Sequence, residues 1–301
     1  MRKEIYLFII IIISILAVGL NVFKNNTKDK AENVKFTKIL SSFYEGQIDL
    51  SLSFKCNKNR LDSWRKKNIE YAKLEIGAES FDVNIADVNI YDAELEDNKY
   101  RGSMSISGEF EQSSGQAYLV IKKKNKDRCE KYNVGKIAII KNGNDEFQDC
   151  YFEMGGVVKT DEKDNVFNYG IVINLEAYKK INIKSVSMGL EDEVRVTKDY
   201  SIYDEKEYKT NIYDLINNTS LDKKIKNIYT KKKFELNTKL EHFSIDINKG
   251  KKYLIFPLKY RYGEEESLNE AVIMIKYVVD GKIKEKVVSN SGVFYIDMNR
   301  N

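Results

Sequence analysis

Gln47-Ile48-Asp49-Leu50-Ser51-Leu52-Ser53-Phe54-Lys55 alternates without a break between polar and apolar residues. Successive side chains of an extended chain point to opposite faces, so Ile48, Leu50, Leu52 and Phe54 share one face and Asp49, Ser51, Ser53 and Lys55 the other. This is the signature of a half-buried antiparallel strand with one wet face. Met104, Ile106 and Phe110 repeat the pattern against Ser103, Ser105, Ser107, Glu109 and Glu111. Between these two stretches Phe81, Val83 and Ile85 occupy odd positions, but Val88 and Ile90 occupy even ones. A one-residue slip near Ala86-Asp87 predicts a β-bulge or a tight bend.

Working outward, Ala117 to Ile121 and Ile137 to Ile140 are apolar on both faces and read as central strands. Asn142-Gly143 signals a hairpin with its return strand near Phe147 to Phe152. Gly155-Gly156 reads as a bend, and Val166 to Leu175 and Ile181 to Met188 add strands. Near the C-terminus, Phe234 to Ile247 opens a further β region. There Leu254, Phe256, Leu258, Tyr260 and Tyr262 alternate, with Pro257 on the opposite face. A proline cannot donate to a ladder, which places this strand at an edge or places Pro257 at its start. Asp280-Gly281, between Ala271 to Val279 and Ile283 to Val288, is the strongest hairpin signal, and Val293 to Met298 closes the region.

Helical spacing appears in three places. Phe36, Ile39, Leu40, Phe43 and Tyr44 fall at i, i+3, i+4, i+7 and i+8, an amphipathic stripe that Gly46 ends. Tyr208, Ile212, Leu215 and Ile216 form a second stripe, and Leu221, Ile225, Ile228 and Tyr229 a third, with Ser220 as its cap.

Ahead of this body runs Ile5 to Phe23, apolar apart from Ser14, Gly19 and Asn21 and free of charge. About 19 residues at 1.5 Å per residue span roughly 28 Å, close to the hydrocarbon thickness of a bilayer. The stretch is expected to be an uncleaved transmembrane helix; Ala17-Val18-Gly19 is the alternative, a signal-peptide cleavage site. Arg2 and Lys3 before it nearly balance Lys24, Lys28 and Lys30 after it, so the positive-inside count does not set the orientation. A short tail before a single apolar segment favours a body outside the cytoplasm. The expected fold class is mainly β, an N-terminal transmembrane helix followed by antiparallel sandwich-like regions with a few short helices. The expected division is 1–24 anchor, 25–46 tether and amphipathic helix, 47–200 antiparallel β domain, 201–232 helical connection and 233–301 C-terminal β subdomain.

Composition narrows the function. Of 301 residues 42% are hydrophobic and 32% charged, a globular balance, and abundant Lys, Asn and Ile point to an AT-rich bacterial genome. A net charge of +4 is too small to imply nucleic acid. Cys56, Cys129 and Cys150 show neither a zinc spacing nor a disulfide framework and read as free thiols. His242 is the only histidine, which removes any two-histidine metal site, and no phosphate-loop, dinucleotide or nucleophile-elbow motif is present. No cofactor is expected. Glu109 and Glu111 could serve as paired carboxylates, and Asp161, Glu162, Asp164 and Asn165 gather oxygen ligands without the spacing of a calcium loop.

The sharpest feature outside the anchor is basic. Lys223, Lys224, Lys226, Lys231, Lys232 and Lys233 cluster on or after the last helical stripe, suited to an anionic envelope polymer or lipid. The sequence therefore predicts a single-pass, membrane-anchored, extracytoplasmic binding, adhesion or assembly module of a bacterial cell envelope, without catalysis. The alternatives are an envelope glycan hydrolase using paired carboxylates, or a single-pass membrane regulator acting through a partner.

Overall fold

The computed structural model describes residues 34–57, 63–95, 99–124, 126–141, 149–160, 166–197, 200–204, 243–260 and 266–296. Among them the secondary structure is β throughout, apart from 3-10 turns at 63–64 and Lys66–Asn68, and there is no α-helix. None of the described residues forms a helix long and apolar enough to cross a membrane, and the stretch Ile5 to Phe23 lies outside them. The helical stripes expected over 208–229 also lie outside the described residues.

The stretch Gln47 to Lys55 lies in β3 (Gly46–Asn57), in which the even residues from Ile48 to Cys56 are buried and the odd residues from Gln47 to Lys55 are exposed. It pairs with β6 (Lys99–Phe110), so that Leu50 opposes Ile106 and Leu52 opposes Met104. β5 (Glu79–Leu95) carries the expected slip, a register shift between Ile85 and Asp87. This one strand serves two layers. Its first part, through Val83, pairs with β4 (Ile69–Ile76), and the part from Asn84 onward pairs with β6.

One layer of the first unit is therefore β1 (Val34–Phe36), β3, β6 and the end of β5. The other runs from the start of β5 through β4, β7 (Ser113–Lys123), β8 (Glu130–Ile140), β2 (Lys38–Tyr44) and β16 (Glu266–Glu270). Phe36 packs on Tyr132 at 5.4 Å between ring centroids, and Phe81 on Phe110 at 5.1 Å, so the inner faces interdigitate across the sandwich. β7 and β8 are central, as their two-sided apolar pattern predicts.

The second unit repeats the device. β18 (Lys282–Ile296) pairs antiparallel with β17 (Val272–Val279) through Ser289 and, from Asn290 onward, parallel with β9 (Cys150–Thr160), with a register shift between Asn290 and Gly292. The remaining strands are β10 (Val166–Ala177), β11 (Ile181–Met188), β12 (Val194–Val196), β13 (Ser201–Asp204), β14 (Ile245–Ile247) and β15 (Gly250–Tyr260). Phe152 on β9 meets Tyr277 on β17 at 5.7 Å across this second core. Asp280 and Gly281 form the expected two-residue hairpin turn, with φ of 49° and 74°. By pairing, strands 150–196 join strands 245–260 and 272–296 in one sheet, while 34–140 and 266–270 form the other.

Four local expectations change. The stretch Phe36 to Tyr44, read as an amphipathic helix, is β1 and β2. β2 lies between β8 and β16, parallel to both, and is buried on both faces. Ile39 and Phe43 enter the first core while Leu40 enters the second, with Ser41 and Ser42 buried between them. A strand shared by two cores has no wet face, and its spacing then imitates a helical stripe.

Asn142-Gly143 lies outside the described residues, but the strands it is expected to join are not partners: β8 pairs with β7 and β2, whereas β9 pairs with β10 and β18. Gly155 and Gly156 lie buried inside β9, paired on both sides, and not at a bend.

Pro257, finally, occupies the interior of a strand with neighbours on both edges. It opposes Gly170 of β10 on one side. On the other side β13 ends its pairing at Ile255 and β12 begins at Leu258. The Pro257 carbonyl accepts from the Thr197 N–H at 3.0 Å on that side. Because the N–H and C=O of a strand residue point the same way, the missing donor falls in the gap between the two partner strands.

Candidate functional site

The outer face of the layer β1-β3-β6-β5 is built by the same alternation that fills the core. With Phe36, Phe54, Met104 and Ile85 inside, their strand neighbours must point out. Register aligns these outward residues in rows across the strands. Lys35 opposes Lys55, Lys55 opposes Arg101, and Arg101 opposes Tyr91. The next row holds Ser53, Ser103 and Asn89, extended by exposed Thr37, whose N–H donates to the Ser53 carbonyl at 2.8 Å. Ser51, Ser105 and Asp87 follow, then Asp49, Ser107 and Asn84.

Strands lie about 4.8 Å apart and alternate residues about 6.7 Å apart, so this is a polar face roughly 20 Å long. Tyr91 stands 53% exposed at its border and shares a 3.2 Å hydrogen bond with the Ser103 hydroxyl. Along the face Lys35, Lys55 and Arg101 occupy one end, Asp87 stands between, and Asp49 and Glu109 lie towards the other end. Among the described residues no carboxylate lies within ion-pair range of Lys35, Lys55 or Arg101.

Three other charged clusters have structural work to do. At the base of the first core, Trp64 is fully buried among Phe36, Phe54 and Tyr132, and the Lys123 ammonium sits 4.2 Å from its ring centroid. Glu130 lies 3.0 Å from Lys123, also pairs with Lys126, and accepts from the Tyr132 hydroxyl at 2.7 Å. Burial pushes the Glu130 carboxyl up, but Lys126, Tyr132 and Lys123 together outweigh it and leave the group at about 2. In the second unit Lys284, above all, and Lys179 hold the Asp149 carboxyl below its usual range, and Lys179 reaches Asp280 at 2.8 Å. These bonds tie the β17-β18 turn to the start of β9.

The third cluster joins the units. Lys136 on β8 pairs with buried Glu193, and Ser42 Oγ accepts from the Val272 N–H at 2.7 Å. Tyr44 is bonded to Ser289, and burial pushes its hydroxyl up.

The residues singled out in the sequence are distributed as follows. Glu109 and Glu111 are exposed at the open end of β6 and do not confront each other across a cleft. Cys56 is buried in the first core, Cys150 in the second, and Cys129 is exposed beside the Tyr71 hydroxyl at 3.1 Å; all three are free thiols. Burial pushes the Cys150 thiol up to about 11. Among the described residues no three His, Cys, Asp or Glu side chains gather as a metal site. His242, Asp161, Glu162, Asp164, Asn165 and the lysines from Lys223 to Lys233 lie outside the described residues. Sequence reading placed Lys55 on a wet face but did not reach Lys35 and Arg101 as its neighbours. Its only signal was the period of two, which gives a face without naming the strands beside it.

No family model and no curated protein matches the chain. Among solved structures, the C-terminal domain of the AgI/II polypeptide BspA of Streptococcus agalactiae aligns with 8% identity, over 85% of this chain and 99% of that one, with a TM-score of 0.22. The C-terminal domain of the Streptococcus pyogenes antigen I/II-family protein AspA aligns with 8% identity, over 85% and 98%, with a TM-score of 0.24. A chimeric titin Z1Z2 tandem aligns with 8% identity, over 88% and 97%, with a TM-score of 0.20. Superpositions this loose carry no argument about function.

Proposed function

We propose that the chain is a non-catalytic binding or adhesion module of a bacterial cell envelope, held at the membrane by Ile5 to Phe23 with its body outside the cytoplasm. The observation that carries this reading is the continuous polar face over β1, β3, β6 and β5, whose rows of hydroxyl, amide and cationic side chains stand open to solvent. Such a face offers many hydrogen-bond donors and acceptors on a rigid two-layer support, which is what recognition of an extended surface requires. The apolar N-terminal stretch supplies the address. Lys223 to Lys233 supply a second anionic contact in the same reading.

The test is co-sedimentation of the full chain with isolated envelope fractions, beside a variant carrying Ser53→Glu and Ser105→Glu in the middle of the face. The chain should sediment with the envelope and the variant should not, while both keep the same unfolding midpoint. Equal sedimentation of the two would remove the face from the reading; no sedimentation of either would remove the reading itself. Protease digestion of the body in intact cells, with membrane fractions probed beside it, tests the orientation. Protection that ends only on lysis would place the body inside.

A further inference from the structure

We propose that the row Lys35-Lys55-Arg101, with Tyr91 and the hydroxyl row beside it, binds the phosphate groups of an anionic polymer laid across β1, β3 and β6. The inference rests on the envelope-binding reading and names its ligand class.

The row is an electrostatic anomaly. Like charges directly opposite one another on neighbouring strands are destabilising. Here two such oppositions stand in succession, Lys35 against Lys55 and Lys55 against Arg101, all three exposed. Three other cross-strand lysines face acids, while Lys259 on β15 opposes Arg195 on β12. Lys73 opposes Asp82 at 3.3 Å, Lys276 opposes Glu285 at 3.2 Å, and Lys252 opposes and pairs with Asp204. The acids of the face lie away from the row, Asp87 two rows off and Asp49 and Glu109 farther along.

The geometry suits a chain of phosphates. Three cations on adjacent strands repeat about every 5 Å, so they meet successive anionic groups of a flexible polymer crossing the strands. Arg101 offers a fork of donors that phosphate oxygens accept two at a time. Ser53, Ser103 and Thr37 lie one row away, within reach of the linking hydroxyls of such a polymer. Tyr91, anchored through Ser103, closes the end of the row with an exposed ring that can cover the linker carbons. The acidic far end of the face sets the polymer's direction, because a polyanion running along the strands would meet Asp49 and Glu109. Crossing the strands avoids them. Membrane lipid fits less well, since the neighbouring rows offer short polar side chains and nothing to insert.

The test is equilibrium binding of the full chain to poly(glycerol phosphate), with dextran and phosphatidylglycerol vesicles as parallel arms. Three phosphate contacts at a flexible chain give a log–log salt slope of about −2, so affinity should fall roughly twentyfold between 50 and 200 mM salt. Lys55→Gln should weaken binding about fivefold, at about 1 kcal/mol per cation, and the triple change of Lys35, Lys55 and Arg101 to Gln roughly a hundredfold. Lys180→Gln, an exposed lysine of the second unit, should leave binding unchanged. Lys55→Gln should also raise the unfolding midpoint, because it relieves both oppositions. Loss of binding together with gained stability separates a ligand site from a structural lysine.

Three results would overturn the proposal: polymer binding that ignores the row variants, equal affinity for dextran, or binding to vesicles without binding to the polymer. Envelope sedimentation that persists without affinity for the polymer overturns the ligand class alone. Absence of envelope sedimentation overturns the underlying reading as well.

Discussion

Glu130→Gln tests the cluster beneath Trp64. In the folded protein Glu130 lies at about 2 instead of its ordinary 4.5, because its bonds to Lys126, Tyr132 and Lys123 outweigh the cost of burial. A lowering of that size corresponds to about 3 kcal/mol of folding stability at neutral pH. The group's folded value is depressed, so the contribution is complete above about 4.5 and is lost as pH falls towards about 2. At pH 3 about 1.4 kcal/mol should remain. Glu130→Gln keeps the shape but removes the carboxylate 3.0 Å from Lys123, whose side chain is only 7% exposed. The variant should therefore lose about 3 kcal/mol at pH 7, a fall of roughly 6 to 12 °C in midpoint. Trp64 is the only tryptophan and sits within the cluster, so its fluorescence in urea titrations reports on this unit. The decisive quantity is the difference between wild type and variant, which cancels every other carboxylate. A difference that is absent at pH 7, or that stays constant from pH 7 to pH 3, would refute the reasoning.

Gly135→Ala should be among the most damaging single changes. Gly135 has φ of 114°, and a Cβ there would lie 2.0 Å from the Ile39 carbonyl oxygen, so β2 and β8 could not keep their parallel register. A loss above about 4 kcal/mol is expected by chemical denaturation; a loss below about 1 kcal/mol would contradict the register. Leu40→Ala removes a side chain that β2 sends into the second core and should cost about 2 to 5 kcal/mol. Its effect should appear in amide exchange of β10 and β17 as well as β2, and an effect confined to the first unit would count against the shared strand. Asp280→Val puts a branched side chain at φ of 49° and should cost about 1 to 2 kcal/mol, whereas Asp280→Asn should be near neutral in thermal melts.

The strands that alternate cleanly were readable because one face of each is wet. β3, β6, the slip in β5, the central β7 and β8, and the Asp280-Gly281 turn all follow from local pattern and turn chemistry. β2 was not readable as a strand. Its burial by two cores is a property of the assembled units, and a stretch without a wet face has no period to read. Pro257 misleads for a related reason: whether a strand tolerates a missing N–H depends on where its neighbours begin and end.

The sequence by itself determined the β class, the faces of the alternating strands, the turn at Asp280-Gly281 and the apolar stretch at the N-terminus, because each is written in residues a few positions apart. Only the tertiary structure decided which strands are neighbours. Parallel pairings such as β2 with β8 and β9 with β18 join residues about a hundred positions apart or more, and no local period encodes such a distance. The row Lys35-Lys55-Arg101 exists only because three strands meet in one register, so its charge is a property of the sheet and not of any segment.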